Sequence, residues 1–408
     1  MSYNLNITHP LIENAQKYTY YRKVLSIHSE DRDNLKYPSS SLFEITLPQD
    51  YLNVQSVKLS SWSFPFNMNT FSESQKNITM TFKIDKPYNP GEFDQPNVLQ
   101  NAIFAGLYNH YNDGDDFIFT IESGNYTTTT IVTEIQNKMN HTVTVYLEKY
   151  FLQNYPELLG EFELRGGYYG FVLAYNEVEE KLWFGNRSDG FILTNETTNL
   201  LQFQVNACDF HRTNTSPSFS DTGLPGRLGF TRCNSESIKV LDKNEVRFYY
   251  GDVNTTGDNG YWLKPDPTLV GSTCYFVKPV YKINIYQTIC FYVDIQLLNC
   301  IDEVAPYNVS NFTIQNSQNN GKVNGSFAKI SSQNFANDNL TNFFEYGGVP
   351  YKYFDPPAER IRKLSIKIRN HDGTLLNFNN LPFTFTLEFG LLANSALKEY
   401  NEYTPRAN

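Results

Sequence analysis

FDPPAERIRKLSIKIRNHDGTLLNFNNLPFTFTLEFGLL, residues Phe354–Leu392, holds two alternating β-patterns. Leu364, Ile366 and Ile368 alternate with Ser365, Lys367 and Arg369; Phe383, Phe385, Leu387 and Phe389 alternate with Thr384, Thr386 and Glu388. Period two puts the apolar side chains of a strand on one face, so each run is a half-buried strand. His371-Asp372-Gly373-Thr374 lies between them, and Asp-Gly is a strong turn signal. A two-stranded ribbon is not stable alone, so the partners of these strands must lie far back in the chain.

The same pattern recurs upstream. Val24, Leu25 and Ile27 form a short strand that ends at His28-Ser29-Glu30-Asp31-Arg32-Asp33. Phe43, Ile45 and Leu47 follow, with Pro48 expected to stop that strand. Val54, Val57 and Leu59 begin another that runs through Trp62, and Met80, Phe82 and Ile84 make a further one. Residues 171–184 read as a β-hairpin, and Ile192–Thr194 and Leu201–Val205 as strands. Leu224–Phe230 reads as a tight Gly/Pro turn, and Tyr275–Tyr286 and Ile289–Leu298 as long β-runs. Helical spacing occurs twice, near residues 97–109 and at 128–140, where Ile131, Ile135 and Met139 are four apart and the Thr run just upstream offers an N-cap. Val143–Leu152 extends that helix or forms a strand.

The composition agrees. The chain has 408 residues, with 29 Tyr and 31 Phe and only 19% charged residues, which fits an all-β protein with long loops. The expected fold is an antiparallel jelly-roll sandwich with one or two short helices, a double jelly roll being the alternative. The expected division is an N-terminal arm at 1–20, polar and without period; jelly-roll strands with short helices at 21–232; a β-rich elaboration or second lobe at 233–345; closing strands at 346–392; and a tail at 393–408. Strands near the two termini are expected to pair, as Greek-key windings require.

A net charge of −10 argues against direct nucleic-acid binding. No signal peptide is read at the N-terminus and no apolar run of transmembrane length is present. The five cysteines (Cys208, Cys233, Cys274, Cys290, Cys300) form no C-x-x-C pair and read as free thiols of a reducing compartment.

No set of residues rises to an active site: no catalytic, cofactor-binding or metal-ligating residue is assigned, and no cofactor. G-x-S-x-G, H-E-x-x-H and Walker A patterns are absent, and Gly321-Lys322 lacks the spacing of a phosphate cradle. His28 beside Glu30 and Asp31 reads as a strand end with solvated charges, and Asp31-Arg32-Asp33 as an ion pair shaping the bend. Asp113, Asp115 and Asp116, and likewise Asp252, Asn254 and Asp258, resemble half a Ca²⁺ loop without the rest of it. His371 and Asp372 read as turn residues rather than a catalytic dyad.

Three segments together carry a resemblance: Leu25–Phe66; Ser123–Asn140 with the hairpin that follows and the Arg227–Phe230 run; and Phe354–Phe389. In order, Ser29 with Asp31-Arg32-Asp33, Tyr37-Pro38, Phe43–Pro48, Asn53–Leu59 and the strand-Asp-Gly-strand unit of Leu364–Phe389 resemble the minor capsid proteins of nucleocytoplasmic large DNA viruses. The resemblance covers about half the chain; residues 233–345 match nothing in it. It implies a jelly-roll structural protein of an icosahedral virion that binds major capsid protein and other minor capsid proteins to cement or close the shell. It equally admits a pentameric five-fold vertex (penton) protein. The implied location is the capsid shell, assembled in the host cytoplasm, with membrane contact left open. A virion-surface β-sandwich that binds carbohydrate or a receptor is a further alternative, and an enzyme on a β-scaffold the least favoured.

Overall fold

In a computed structural model, the structure describes residues 18–65, 68–88, 97–203, 223–241, 246, 262–269, 271–286, 290–304, 323–331, 350–371 and 373–394. Two compact units divide the chain: an outer unit, Met1–Met68 with Thr288–Asn408, and an inserted unit, Asn69–Gln287. The cut differs from the expected boundary at 232/233. Part of the 233–345 stretch belongs to each unit.

The outer unit begins with β1 (Tyr18–His28) and β2 (Leu42–Ser63). The inserted unit supplies β3 (Thr79–Asp85), β4 (Phe117–Thr120), β5 (Phe171–Asn176), β6 (Lys181–Asn186), β7 (Gly190–Leu193), β8 (Ser235–Glu236), β9 (Ile238–Lys239) and β10 (Tyr275–Val277). The outer unit resumes with β11 (Cys290–Ile295), β12 (Ile301–Val304), β13 (Val323–Ser326), β14 (Ala328–Ser331), β15 (Tyr351–Arg369) and β16 (Thr384–Asn394).

Pairing in the outer unit is nested. β1 pairs with β16, β2 with β15, β11 with β14 and β12 with β13, all antiparallel. First with last and second with last-but-one describe one long ribbon folded at its middle. β16 also lies against β2, and β15 against β11, so the ribbon is wound upon itself. That is a jelly roll. β2 and β15 each serve both layers. The Leu42–Leu52 half of β2 pairs with β15 alone, and the Val54–Ser63 half pairs with β16. Between the halves Asn53 has φ 51, and the β15 register skips from Tyr353 to Ala358, leaving Pro356 and Pro357 outside the ladder. The Gln55 amide donates to the Phe354 carbonyl (2.8 Å) within the skip. Strands change layer through such bends. Across the interior Tyr51 stacks on Phe389 (4.3 Å between ring centroids) and Phe64 meets Phe291 edge-on (5.1 Å). All of these rings lie in one core with Ile27, Val57, Ile366 and Leu387.

Three local expectations change. Pro48 does not end a strand: it sits within β2, opposite the register irregularity between Ile361 and Lys363, where no ladder bond is lost. β15 and β16 do not pair with each other, because β2 lies between them. The turn after β15 closes instead on an Arg369–Leu375 bridge, with Asn370 N–H donating to the Thr374 carbonyl (2.9 Å).

The inserted unit mixes helices with two four-stranded antiparallel sheets, ordered β4-β3-β7-β8 and β5-β6-β10-β9. Its helices are α1 (Val98–Asp113), α2 (Thr128–Asn154), α3 (Leu159–Leu164), α4 (Asn195–Phe203) and α5 (Gly223–Arg227). This is more helix than the expected one or two short ones. α2 is capped by Thr127, whose hydroxyl accepts from Thr130 N–H (3.2 Å). It continues past residue 140 because the four-residue spacing continues through Val143, Leu147 and Phe151, all fully buried. The strand expected at Leu201–Val205 is, as far as Phe203, the end of α4. Thr198 on that helix accepts from Thr81 N–H of β3 (3.0 Å), so docking overrides the local alternation. Of the long β-run expected over Tyr275–Tyr286, only Tyr275–Val277 is strand. The expected turn at Leu224–Phe230 is helical as far as Arg227, and then Gly229 turns at φ 88.

Candidate functional site

Several of the residue groups singled out in the sequence fall among the described residues and are tied down by structure. Ser29 is buried at the end of β1: its N–H donates to the Phe383 carbonyl (2.9 Å), and its hydroxyl accepts from Phe383 N–H (3.0 Å). Asp31 accepts from His28 N–H (3.0 Å), and one Asp33 oxygen accepts from Leu35 and Lys36 N–H. The expected Asp31-Arg32-Asp33 ion pair does not form. Arg32 instead donates to the Ser29 and Tyr37 carbonyls. The Ser-x-Asp-Arg-Asp run is thus a corner that binds the exit of β1 to the entry of β16.

Asp113 accepts from the Asn109 amide (3.1 Å), and Asp116 pairs with Lys83 (3.3 Å). Among the described residues no group of three or more His, Cys, Asp or Glu is placed to hold a metal ion. Cys208, Asp252, Asn254, Asp258, Gly321, Lys322 and Asp372 lie outside the described residues. Cys233, Cys274, Cys290 and Cys300 are unpaired, and burial pushes the Cys274 thiol up to about 11. His110 stacks flat on Phe117 (3.7 Å, 3°), and burial lowers its pKa.

Two charge clusters escaped the sequence reading. In the outer unit Arg369, 3% exposed, joins Asp294 of β11 (Nε–Oδ2 2.8 Å) and Glu303 of β12 (Nη2–Oε2 2.8 Å). His371 Nδ1 meets the second Glu303 oxygen. Arg369 also lies over the Tyr292 ring (5.1 Å), and burial, then the Glu303 charge, raises the Tyr292 pKa. These residues come from three strands and a turn, so no sequence spacing signals them. His371 does more than turn the chain: it helps hold β12 to the end of β15.

In the inserted unit Lys86 and Asp189 form an ion pair (2.9 Å) with side chains 4% and 1% exposed. Tyr168 hydroxyl and Ser188 hydroxyl both donate to Asp189, at 2.9 and 2.8 Å, and Lys86 sits over Phe104 (4.0 Å). Burial, then the Asp189 charge, raises the Tyr168 pKa well above its ordinary value. Arg165 nearby joins Gln100 (2.9 Å) and Asp266 (3.5 Å) around a cavity of about 20 Å³, room for one water. The buried carboxylates Asp189, Asp266 and Glu303 are therefore each neutralised by a cation, an arrangement suited to holding shape.

The surface of the outer unit has one long open edge. β1 pairs with β16 over eleven consecutive residues without a bulge, and with no other described strand. On its outward pleat the Tyr20 hydroxyl crosses Gly390 to share a hydrogen bond with Ser56 of β2 (3.2 Å). A Cβ at Gly390 would collide with both oxygens, so only glycine permits this crossing. Tyr351 and Tyr353 pair with Lys58 and Ser56 in the next strand and are about half exposed.

No family model and no curated protein matches the chain. Several solved structures are similar to it, among them these two. One is a chain of the Sputnik virophage, solved by cryo-EM, 12% identical with a TM-score of 0.35, covering 94% of this chain and 99% of that one. The other is the mavirus penton protein, 9% identical with a TM-score of 0.28, covering 92% and 99%. The fold assignment rests on the strand pairing above. Among the described residues no helix is long and apolar enough to cross a membrane.

Proposed function

We propose that this chain is a structural minor capsid protein of a large icosahedral DNA virus, acting by binding and not by turnover. The observation that carries the reading is where the motif set falls. Ser29 to Asp33 form the corner between β1 and β16, Phe43–Pro48 and Asn53–Leu59 lie along β2, and Leu364–Phe389 supplies β15 and β16. The ordered motifs shared with that family are the parts that close the jelly roll. Its partners in this reading are the major capsid protein and other minor capsid proteins in the virion shell.

The five-fold vertex role is the second reading, favoured by the same fold. A surface carbohydrate site fits less well: Trp183 and Phe276 pack within a small core beside Trp262 and are buried there. Light scattering across a concentration series, with and without major capsid protein, separates these roles. A chain that assembles only with capsid protein supports cementing, and a stable pentamer on its own supports the vertex. A chain that ignores capsid protein and binds glycans as a monomer overturns both.

A further inference from the structure

Open sheet edges are templates for another strand, and folded proteins blunt them with short length, proline, bulges or charge. Among the other sheet-end strands of the described residues, β4, β12, β13 and β14 are four residues long and β8 and β9 two; β5 is six, and side chains of α2, Gln136 and Asn140, bond its backbone at Phe171 and Leu173. β1 follows that rule only in charge, at Arg22 and Lys23, which engage Glu388 and Gln49. It is eleven residues, contains no proline, keeps an unbroken register with β16, and exposes Tyr18, Tyr21 and Val24 along its length.

Two occupants can be compared. A second β1, laid antiparallel about the strand centre, would set Lys23 of one copy directly against Lys23 of the other, with Arg22 against Val24 on either side. Like charges directly opposite destabilise a sheet. The segment before β1 has no such conflict. It is polar and has no period over its whole length, but within it the six residues Tyr3–Thr8 set Tyr3, Leu5 and Ile7 in alternation with Asn4, Asn6 and Thr8, until His9-Pro10 interrupts. Residues 1–17 lie outside the described residues. Fully extended, such a segment reaches on the order of 55 Å, against an edge of roughly 36 Å. Pairing 3–8 with β1 of the same chain would need residues 9–17 as the loop, and hairpin loops are usually about two to five residues.

We propose that the free edge of β1 is a strand-addition site, and that its occupant is the Tyr3–Thr8 segment of a second copy of this chain. Backbone pairing supplies affinity, and Leu5 and Ile7 set the register through the exposed apolar side chains of β1. The inference goes beyond the capsid reading and does not need it, because the purified chain alone tests it.

The test uses the full chain, its Leu5→Asp/Ile7→Asp variant and a labelled Met1–Lys17 peptide. The natural chain is expected to rise in mass with concentration, and the variant to stay monomeric with unchanged circular dichroism. The peptide is expected to bind the variant at one per chain, and a peptide carrying the same two substitutions to bind at least about tenfold more weakly. A natural chain that stays monomeric overturns the proposal, whether or not peptide binds the variant. So does a variant that still associates, since another surface would then hold the copies. Binding of capsid protein is scored separately, so failure here leaves the capsid reading standing.

Discussion

The two units solve the burial of a cation differently. In the inserted unit a lysine, Lys86, pairs with the carboxylate of Asp189 in an almost closed site. In the outer unit an arginine, Arg369, is held by two carboxylates, Asp294 and Glu303, on separate strands. A lysine is a point charge on a flexible stem, whereas an arginine presents a planar fork that bridges two acceptors. The arginine arrangement ties two strands, β11 and β12, to one cation on β15. The units also differ in how they are joined. The outer unit pairs Tyr18 with Asn394, while the inserted unit packs a long helix and hairpins close in sequence around one core.

The largest expected effect sharpens that contrast. Asp189→Ala removes the carboxylate that lies 2.9 Å from buried Lys86 and is expected to cost about 3–5 kcal/mol, read by chemical denaturation, with hydrogen exchange accelerating in β7. Glu303→Ala removes one carboxylate but leaves Asp294 on Arg369, and about 1–3 kcal/mol is expected. A cost as large as that of Asp189→Ala would mean that Asp294 alone does not hold Arg369. Gly390→Ala drives a methyl group into Tyr20 and Ser56 and should cost about 1–3 kcal/mol, with faster exchange along β1. A neutral result would mean that Tyr20 moves aside freely. Thr127→Ala uncaps α2 and should cost about 1 kcal/mol, seen as a lower Tm.

The smallest effect is one of pH. Burial holds the His110 pKa below its ordinary value, so the unfolded chain takes up a proton before the folded one does. The groups facing the ring are Lys83, Asp113, Asp115 and Asp116. Its contribution is therefore present above the usual histidine range and lost as pH falls through and below it. Replacing His110 by Phe should flatten the acid-side fall of Tm. An unchanged slope would assign the acid sensitivity to other groups.

Local pattern located much of the fold. The alternation over Leu364–Ile368 and Phe383–Phe389 became the buried faces of β15 and β16, and the hairpin expected at 171–184 became β5 and β6. The helix from Thr128 was visible in its N-cap and its four-residue spacing. Local pattern misled where another part of the chain intervened. Thr198 docks on β3 and fixes a helix where alternation suggested a strand, and Pro48 rides through β2 because its position faces a register irregularity. The charge clusters were not legible at all, since Asp294, Glu303, Arg369 and His371 span 78 positions from first to last (371 less 294 plus one) and share no spacing.

By itself, then, the sequence determined which stretches are half-buried strands, that strands near both ends must find distant partners, and the corner motif at Ser29–Asp33. Side-chain period and turn chemistry are local properties, so a single chain displays them. Only the tertiary structure decided that the strands nest as a wound ribbon, that a separate unit is inserted between its second and third strands, and that β1, among the described strands, pairs on one side only. Those outcomes depend on which distant strands satisfy each other's backbone groups, and no local pattern encodes that choice.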